Sequence, residues 1–434
     1  MDLKSDDFNV MLSKERYVQI EKQSFEDYKA AAEDGGAVAR HIMGKAYHFG
    51  KGVEQDYERA FYWYSLAANQ GVGPAQHNLG LLYGEGWGVD KNNEQEVFWY
   101  QKAARQGFSL SMSSLGACYL RGEGVEKDEK KAFELFKSSA DKGNEFGQRW
   151  LAWCYEHGRC VEQDLSLAFH WNKQAAKQNH ATSQCDVGRY YLHGLGVEKD
   201  YDKAFYWFSL SAEQENPVAQ SVLGACYFFG LGVVVDYKKA FHWFELAAKA
   251  GDAYAQYSLG ACYAYGHGVK KDYELAVHWF EKSANQQNIQ AQKALAWYYE
   301  TGNGVLQNHQ KTFSLYQQAA EHGLAEAQYH LGRCYQYKIG VKRNFRLATY
   351  WYRLSAKSGN TKASRGLYRL WEKYVLFVTW ILLIIWHLSF LERSDPISLF
   401  HFIPISLYFG YFAIRWFCER KNAKKYSKNV LYFD

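Results

Sequence analysis

Residues 216–251 read NPVAQSVLGACYFFGLGVVVDYKKAFHWFELAAKAG. Leu223, Gly224 and Tyr227 recur at helical spacing and mark one face of a first helix. Gly230 and Gly232 break it, because glycine accepts the positive φ of a sharp turn. Val233 is the apolar plug of that turn. Asp236 precedes the next periodic run, where its carboxylate caps a helix N-terminus. The second helix carries Ala240, Trp243, Phe244, Ala247 and Ala248. Large and small residues alternate there, which lets two antiparallel helices approach closely. Gly251 ends the unit.

The same reading returns every 36 residues without insertion. The small residue of the first helix falls at Gly44, Gly80, Gly116, Ala152, Gly188, Gly224, Gly260, Ala296 and Gly332. A valine recurs from Val53 to Val341, and a tyrosine from Tyr47 to Tyr335. The capping column contains only Asp and Asn, from Asp56 to Asn344. Cys160 replaces the second turn glycine of its unit, Lys338 replaces the first of its own, and Leu135 and Leu315 replace the scaffold Trp. One helix–turn–helix cannot bury its apolar face alone, so stacked neighbours must do it. The expected fold is all-α, a right-handed α-solenoid.

The pattern A-x-A-Q-x-x-L-G-x-x-Y-x-x-G-x-G-V-x-x-D-x-x-x-A-x-x-W-x-x-x-A-A-x-x-G resembles the Sel-one-like repeat, a relative of the tetratricopeptide repeat. The resemblance covers residues 37–359 in nine units. Residues 23–36 match a second helix only, so 1–36 read as an N-terminal segment with a half-repeat cap. What the resemblance implies is a scaffold or adaptor of protein complexes, whose first helices line a concave groove.

Composition bounds the function. The chain has 434 residues, and 51 basic against 46 acidic side chains leave a net charge of only +5, which does not announce a nucleic-acid binder. There are 4 prolines, against a linker-rich array. The polar start MDLKSDDFNV is no signal peptide, so the 8 cysteines read as thiols. Residues 360–373 begin a further unit without finishing it. Residues 374–391 (YVLFVTWILLIIWHLSFL) carry no charge and, as helix, would span about 27 Å. Residues 397–418 are again apolar, with Pro404 inside and Arg415 near the end. Basic residues flank both segments, and residues 419–434 form a basic tail. Hence 374–418 is expected to be a transmembrane hairpin with the repeats on the cytoplasmic side, making a multi-pass membrane protein. The other readings of this region are one span with an interfacial segment, or a buried helix pair docked on the solenoid.

No catalytic motif survives inspection. A phosphate loop, a G-x-S-x-G elbow, an H-E-x-x-H pair and dinucleotide glycines are all missing. Ser139-x-x-Lys142 sits where other units have Ala and Lys. Cys118, Cys154, Cys226, Cys262 and Cys334 share a column that elsewhere accepts Ala or Leu, so they read as packing residues. His170, His242 and His278 share an outer-face column. The expectation is therefore no enzyme, no cofactor, no metal, and no nucleic acid or small-molecule substrate. What varies between units is a stripe of first-helix positions at i, i+4 and i+8, starting at His41, Lys45 and Phe49. It includes His77 and Leu81, and then the candidate partner-binding residues Arg149, Trp153, Arg189, His193, Phe229, Tyr257, Tyr265, Lys293, Trp297 and Arg333. Aromatic and arginine side chains on an exposed stripe suit a protein partner. The expected function is a membrane-tethered scaffold holding that partner in the groove. The alternative makes the hairpin the active element of a membrane complex, with the solenoid as its regulator.

Overall fold

A computed structural model describes residues 22–391, which are helix and turn with no strand. The half-repeat cap is helix α1 (Lys22–Glu33). The first helices of the nine units are α2 (Ala37–Phe49), α4 (Gly73–Glu85), α6 (Ser109–Arg121), α8 (Glu145–His157), α10 (Ala181–His193), α12 (Pro217–Phe229), α14 (Ala253–Tyr265), α16 (Ile289–Thr301) and α18 (Ala325–Tyr337). The second helices are α3 (Tyr57–Asn69), α5 (Asn93–Arg105), α7 (Glu129–Asp141), α9 (Leu165–Lys177), α11 (Tyr201–Glu213), α13 (Tyr237–Lys249), α15 (Tyr273–Asn285), α17 (His309–Glu321) and α19 (Phe345–Lys357). Two compact bodies result, residues 1–308 with α1–α16 and residues 309–434 with α17–α20. Inside each body every helix packs on its neighbours in the chain, as a solenoid requires.

The turns follow the capping chemistry of the sequence. Asp236 accepts the backbone N–H of Lys238 and Lys239 at 3.0 Å, and its column partners do the same. Gly230 closes α12 in the left-handed region at φ +73°, and its N–H donates to the Cys226 carbonyl. The two substituted turns keep this shape. Lys338 has φ +66° and Cys160 has φ +63°. Cys160 directs its thiol onto the Glu129 carbonyl at 2.7 Å, where the other units bring a bare glycine against backbone.

Helix pairing rests on one contact. A Cβ on Gly224 would stand 2.7 Å from the ring of Phe244, and one on Gly188 would stand 2.7 Å from Phe208. Gly44, Gly80, Gly116, Gly260 and Gly332 meet Tyr64, Tyr100, Phe136, Phe280 and Tyr352 in the same way. The ring lies one residue beyond the scaffold Trp. In the fourth unit Ala152 takes the glycine position and Asn172 takes the ring position, and both are buried. Asn172 is smaller than the ring it replaces, which leaves room for the Ala152 methyl. Trp150, on the same helix as Ala152, is stacked on Phe136 of the preceding unit at 5.1 Å.

The last helix, α20 (Thr361–Leu391), runs unbroken through the unfinished unit into the charge-free stretch, since no proline interrupts it. The side chains of residues 373, 374, 377 and 386–391 are not among those described. Among the described residues no helix is long and apolar enough to cross a membrane. The second apolar segment, 397–418, and the tail, 419–434, lie outside the described residues.

The compensation in the fourth unit can be tested by a double-mutant cycle. Asn172→Phe alone overpacks the site and is expected to cost about 1–3 kcal/mol. Ala152→Gly with Asn172→Phe restores the usual pair and should recover that loss, measured by urea unfolding of the full chain.

Candidate functional site

The first-helix stripe does not lie on one flat face. A step of four residues overshoots a helical turn by about 40°, so the row i, i+4, i+8 rotates around its helix. It begins against the neighbouring helices and ends in solvent. His77 is only 4% exposed, and Leu81 is buried too. Arg149, Tyr257 and Lys293 are half-buried at the inner end of the row. Phe229 and Tyr265, at the outer end, are 62% and 73% exposed. Trp153 is half-buried, and Trp297 is 42% exposed.

Two clusters form along this row in residues 1–308. The first is ionic. Arg189 lies 2.8 Å from Glu156 and 3.6 Å from Asp186, and Arg149 lies 3.6 Å from the same Asp186. The Tyr190 hydroxyl donates to Glu156 at 2.8 Å. Burial pushes the Asp186 carboxyl above its ordinary value, against the pull of both arginines. Arg149 and Arg189 are thus engaged with carboxylates of α8 and α10. Beside them Trp153 stacks on His157 with ring centres 4.8 Å apart. His193 is exposed at the end of α10.

The second cluster is aromatic. Phe229 packs edge-on against Phe228 at 4.9 Å, and Phe228 meets Tyr237 and His267 at 5.1 and 5.2 Å. His267 stacks on Tyr237 at 4.9 Å and on Tyr265 at 5.8 Å. Phe229 and Tyr265 are thereby joined into a row of five rings. Phe228, Tyr237 and His267 were missed by the stripe reading. Their signal was His267 between Gly266 and Gly268, a turn position that holds an aromatic elsewhere only at Trp87. Tyr257 leans on Phe280 at 5.7 Å, and Trp297 meets Tyr298 edge-on at 4.9 Å. Arg333 belongs to residues 309–434, where it lies 3.1 Å from His330.

A polar seam also escaped the sequence reading. The motif glutamine, Gln184, donates to the Ala176 carbonyl of the preceding helix, and its Oε1 accepts from Gln214 at 2.8 Å. Gln256 repeats the arrangement with Ala248 and Gln286. The cysteine column is buried in the hydrophobic core, and burial pushes the Cys226 and Cys262 thiols up to about 11 and 12. The column of His170, His242 and His278 is exposed.

Burial also holds histidines neutral, His41, His48, His77 and His180 among them. His48 is lowered to about 4 and His77 to about 3, in both cases by desolvation. The His77 ring nitrogen lies 3.0 Å from the Ser111 hydroxyl. Below pH 6.5 the unfolded chain protonates these rings and the folded chain does not, so stability falls with pH by up to about 1.4 kcal/mol per unit for each. Glu96, raised by burial to about 7, acts in the opposite sense between its unfolded and folded values. The histidine contribution is therefore read from a variant. The difference in urea midpoint between His77→Gln and wild type should grow in the variant's favour as pH falls from 6.5 to 5. A difference that stays constant over that range would mean His77 charges in the folded state.

The repeat profile described as "Sel1 repeat" matches nine times, at residues 37–72, 73–108, 109–144, 146–180, 181–216, 217–252, 253–288, 289–324 and 325–360. Among solved structures, the protective antigen c5321 of uropathogenic Escherichia coli, with an SLR fold, is 30% identical. That match has a TM-score of 0.54 and covers 85% of this chain and 86% of the other. The Sel1 repeat protein of Oxalobacter formigenes is 27% identical with a TM-score of 0.52, over 77% of this chain and 95% of that one. Comparison with curated proteins finds no match. With nine consecutive matches covering three quarters of its length, the chain belongs to the Sel1 repeat family.

Proposed function

We propose that this protein is a non-catalytic scaffold that holds a protein partner on the face made by its first helices. The observation that carries this reading is the aromatic row Phe229, Phe228, Tyr237, His267 and Tyr265, with its two end rings largely exposed. Exposed rings cost solvation and repay it when a partner covers them, which is why aromatic residues anchor interfaces. Trp153, Trp297 and the Arg149–Arg189 cluster extend the candidate surface along the same helices.

Tethering is the second part of the proposal. The described side chains of Leu376, Trp380, Leu382, Leu383 and Ile385 on α20 are exposed and apolar. Such a surface favours a lipid environment over water. With residues 397–418 as a second span, the repeats and the basic tail would share the cytoplasmic side. Confinement to a membrane raises the effective concentration of whatever the solenoid binds.

Two measurements check these statements. A photo-crosslinking amino acid at Tyr265 or Trp297 should give discrete adducts in cells, and one at Tyr62 or Tyr206 on the outer face should not. Adducts at the outer positions alone would place the partner elsewhere. For topology, tags at both ends of the chain in sealed membranes should both be digested from the cytoplasmic side. Protection of the N-terminal tag would sink the proposed orientation.

A further inference from the structure

Residues 309–373 hold twelve Lys and Arg against three carboxylates, a net of +9, whereas the whole chain is only +5. This charge is not spread evenly. Helices α18, α19 and α20 border an open pocket of about 450 Å³. Arg333 enters it from α18, and Lys362, Arg365 and Arg369 enter from α20. The three cations of α20 follow i, i+3 and i+7, so they share one helical face. Tyr329, Tyr337 and Tyr352 line the remaining wall. None of the three carboxylates, Glu321, Glu326 or Glu372, lines it.

Gly366 explains why the pocket exists. It lies on the same face of α20, and a Cβ there would stand 3.0 Å from the Tyr352 ring. A glycine inside a helix is unfavourable by about 1 kcal/mol relative to alanine. Here it sets α20 close over Tyr352, with the cationic side chains above and below the gap. The Tyr352 hydroxyl donates to the Oε1 of Gln336, which also lines the pocket, at 2.6 Å.

Cations gathered on one face repel one another, and the gathering gains only when an anion joins them. A flank that served membrane orientation alone would have no reason to face a pocket. The two guanidiniums and the ammonium that α20 alone brings to it exceed what one carboxylate neutralises. They match a group with two charges and several acceptor oxygens. The volume lies in the range of small-ligand sites.

We propose that this pocket binds a phosphate monoester. The ligand has two possible sources, a soluble phosphate ester or the headgroup of an anionic phospholipid, and α20 leads from the pocket directly into the apolar stretch. The inference is independent of the first-helix binding face.

The test uses the full chain in detergent micelles at low salt. Glycerol 3-phosphate is the soluble probe, and phosphatidic acid mixed into the micelles, against phosphatidylcholine, is the lipid probe. Arg365→Gln with Arg369→Gln removes two exposed pocket cations. Lys342→Gln with Arg346→Gln makes the same charge change outside the pocket. Unliganded helicity and melting check that both variants fold. The pocket variant should weaken binding of at least one probe about tenfold or more, and the control by less than about threefold. Binding of glycerol 3-phosphate would identify a soluble ester as ligand, and binding of phosphatidic acid alone would identify the headgroup. Equal losses in the two variants, or wild-type chain that binds neither probe, would overturn the proposal.

Discussion

The contact between a bare glycine on seven of the nine first helices and an aromatic ring of the following helix governs the rest of the structure. Without a Cβ at Gly224, the Phe244 ring can lie on the backbone of α12, and the two helices close to the distance that this contact sets. Once that distance is fixed, the turn between the helices must be short, so it requires left-handed residues at Gly230 and Gly232. Even Lys338 and Cys160 adopt that conformation, because the helix pairs on either side impose it. Ala152 and Asn172 show the same constraint met by a different division of volume.

Repetition then limits where individuality can appear. Positions facing the pair contact, the turn and the glutamine seam are committed to packing. Variation is left to the first-helix stripe and to the unfinished last unit. The stripe turns progressively out of the core, so chemically similar residues have different roles along it. Arg149 and Arg189 are occupied by Glu156 and Asp186, and Phe229 and Tyr265 present their rings to solvent. In α18–α20 the glycine-on-ring device is used once more. There, Gly366 over Tyr352 holds a helix near enough to pack a small core and to border a pocket beside it.

Most of the fold was legible in the sequence because its signals are local and repeated nine times. The caps, the turn glycines and the helical faces depend on residues a few positions apart. The ring that meets the glycine was harder to see, since the more regular Trp beside it masks its role. The glutamine seam was invisible in another way. Gln184 carries a conspicuous motif position, but its partners are Ala176 in α9 and Gln214 just past the end of α11. The candidate site was legible only as a set of columns. Spacing alone could not separate His77, which is sealed in the interior, from Tyr265, which is not.

The sequence by itself determined the period, the helix pairs, their caps and the family. Each of these follows from contacts within one unit or between adjacent ones. Tertiary packing decided which stripe residues reach solvent, which arginines are neutralised, and how Lys362, Arg365 and Arg369 come to face Arg333 across a gap. Those outcomes depend on the rotation of each helix about its own axis and on its distance from a neighbour. Neither quantity is written in the spacing of residues along a single chain.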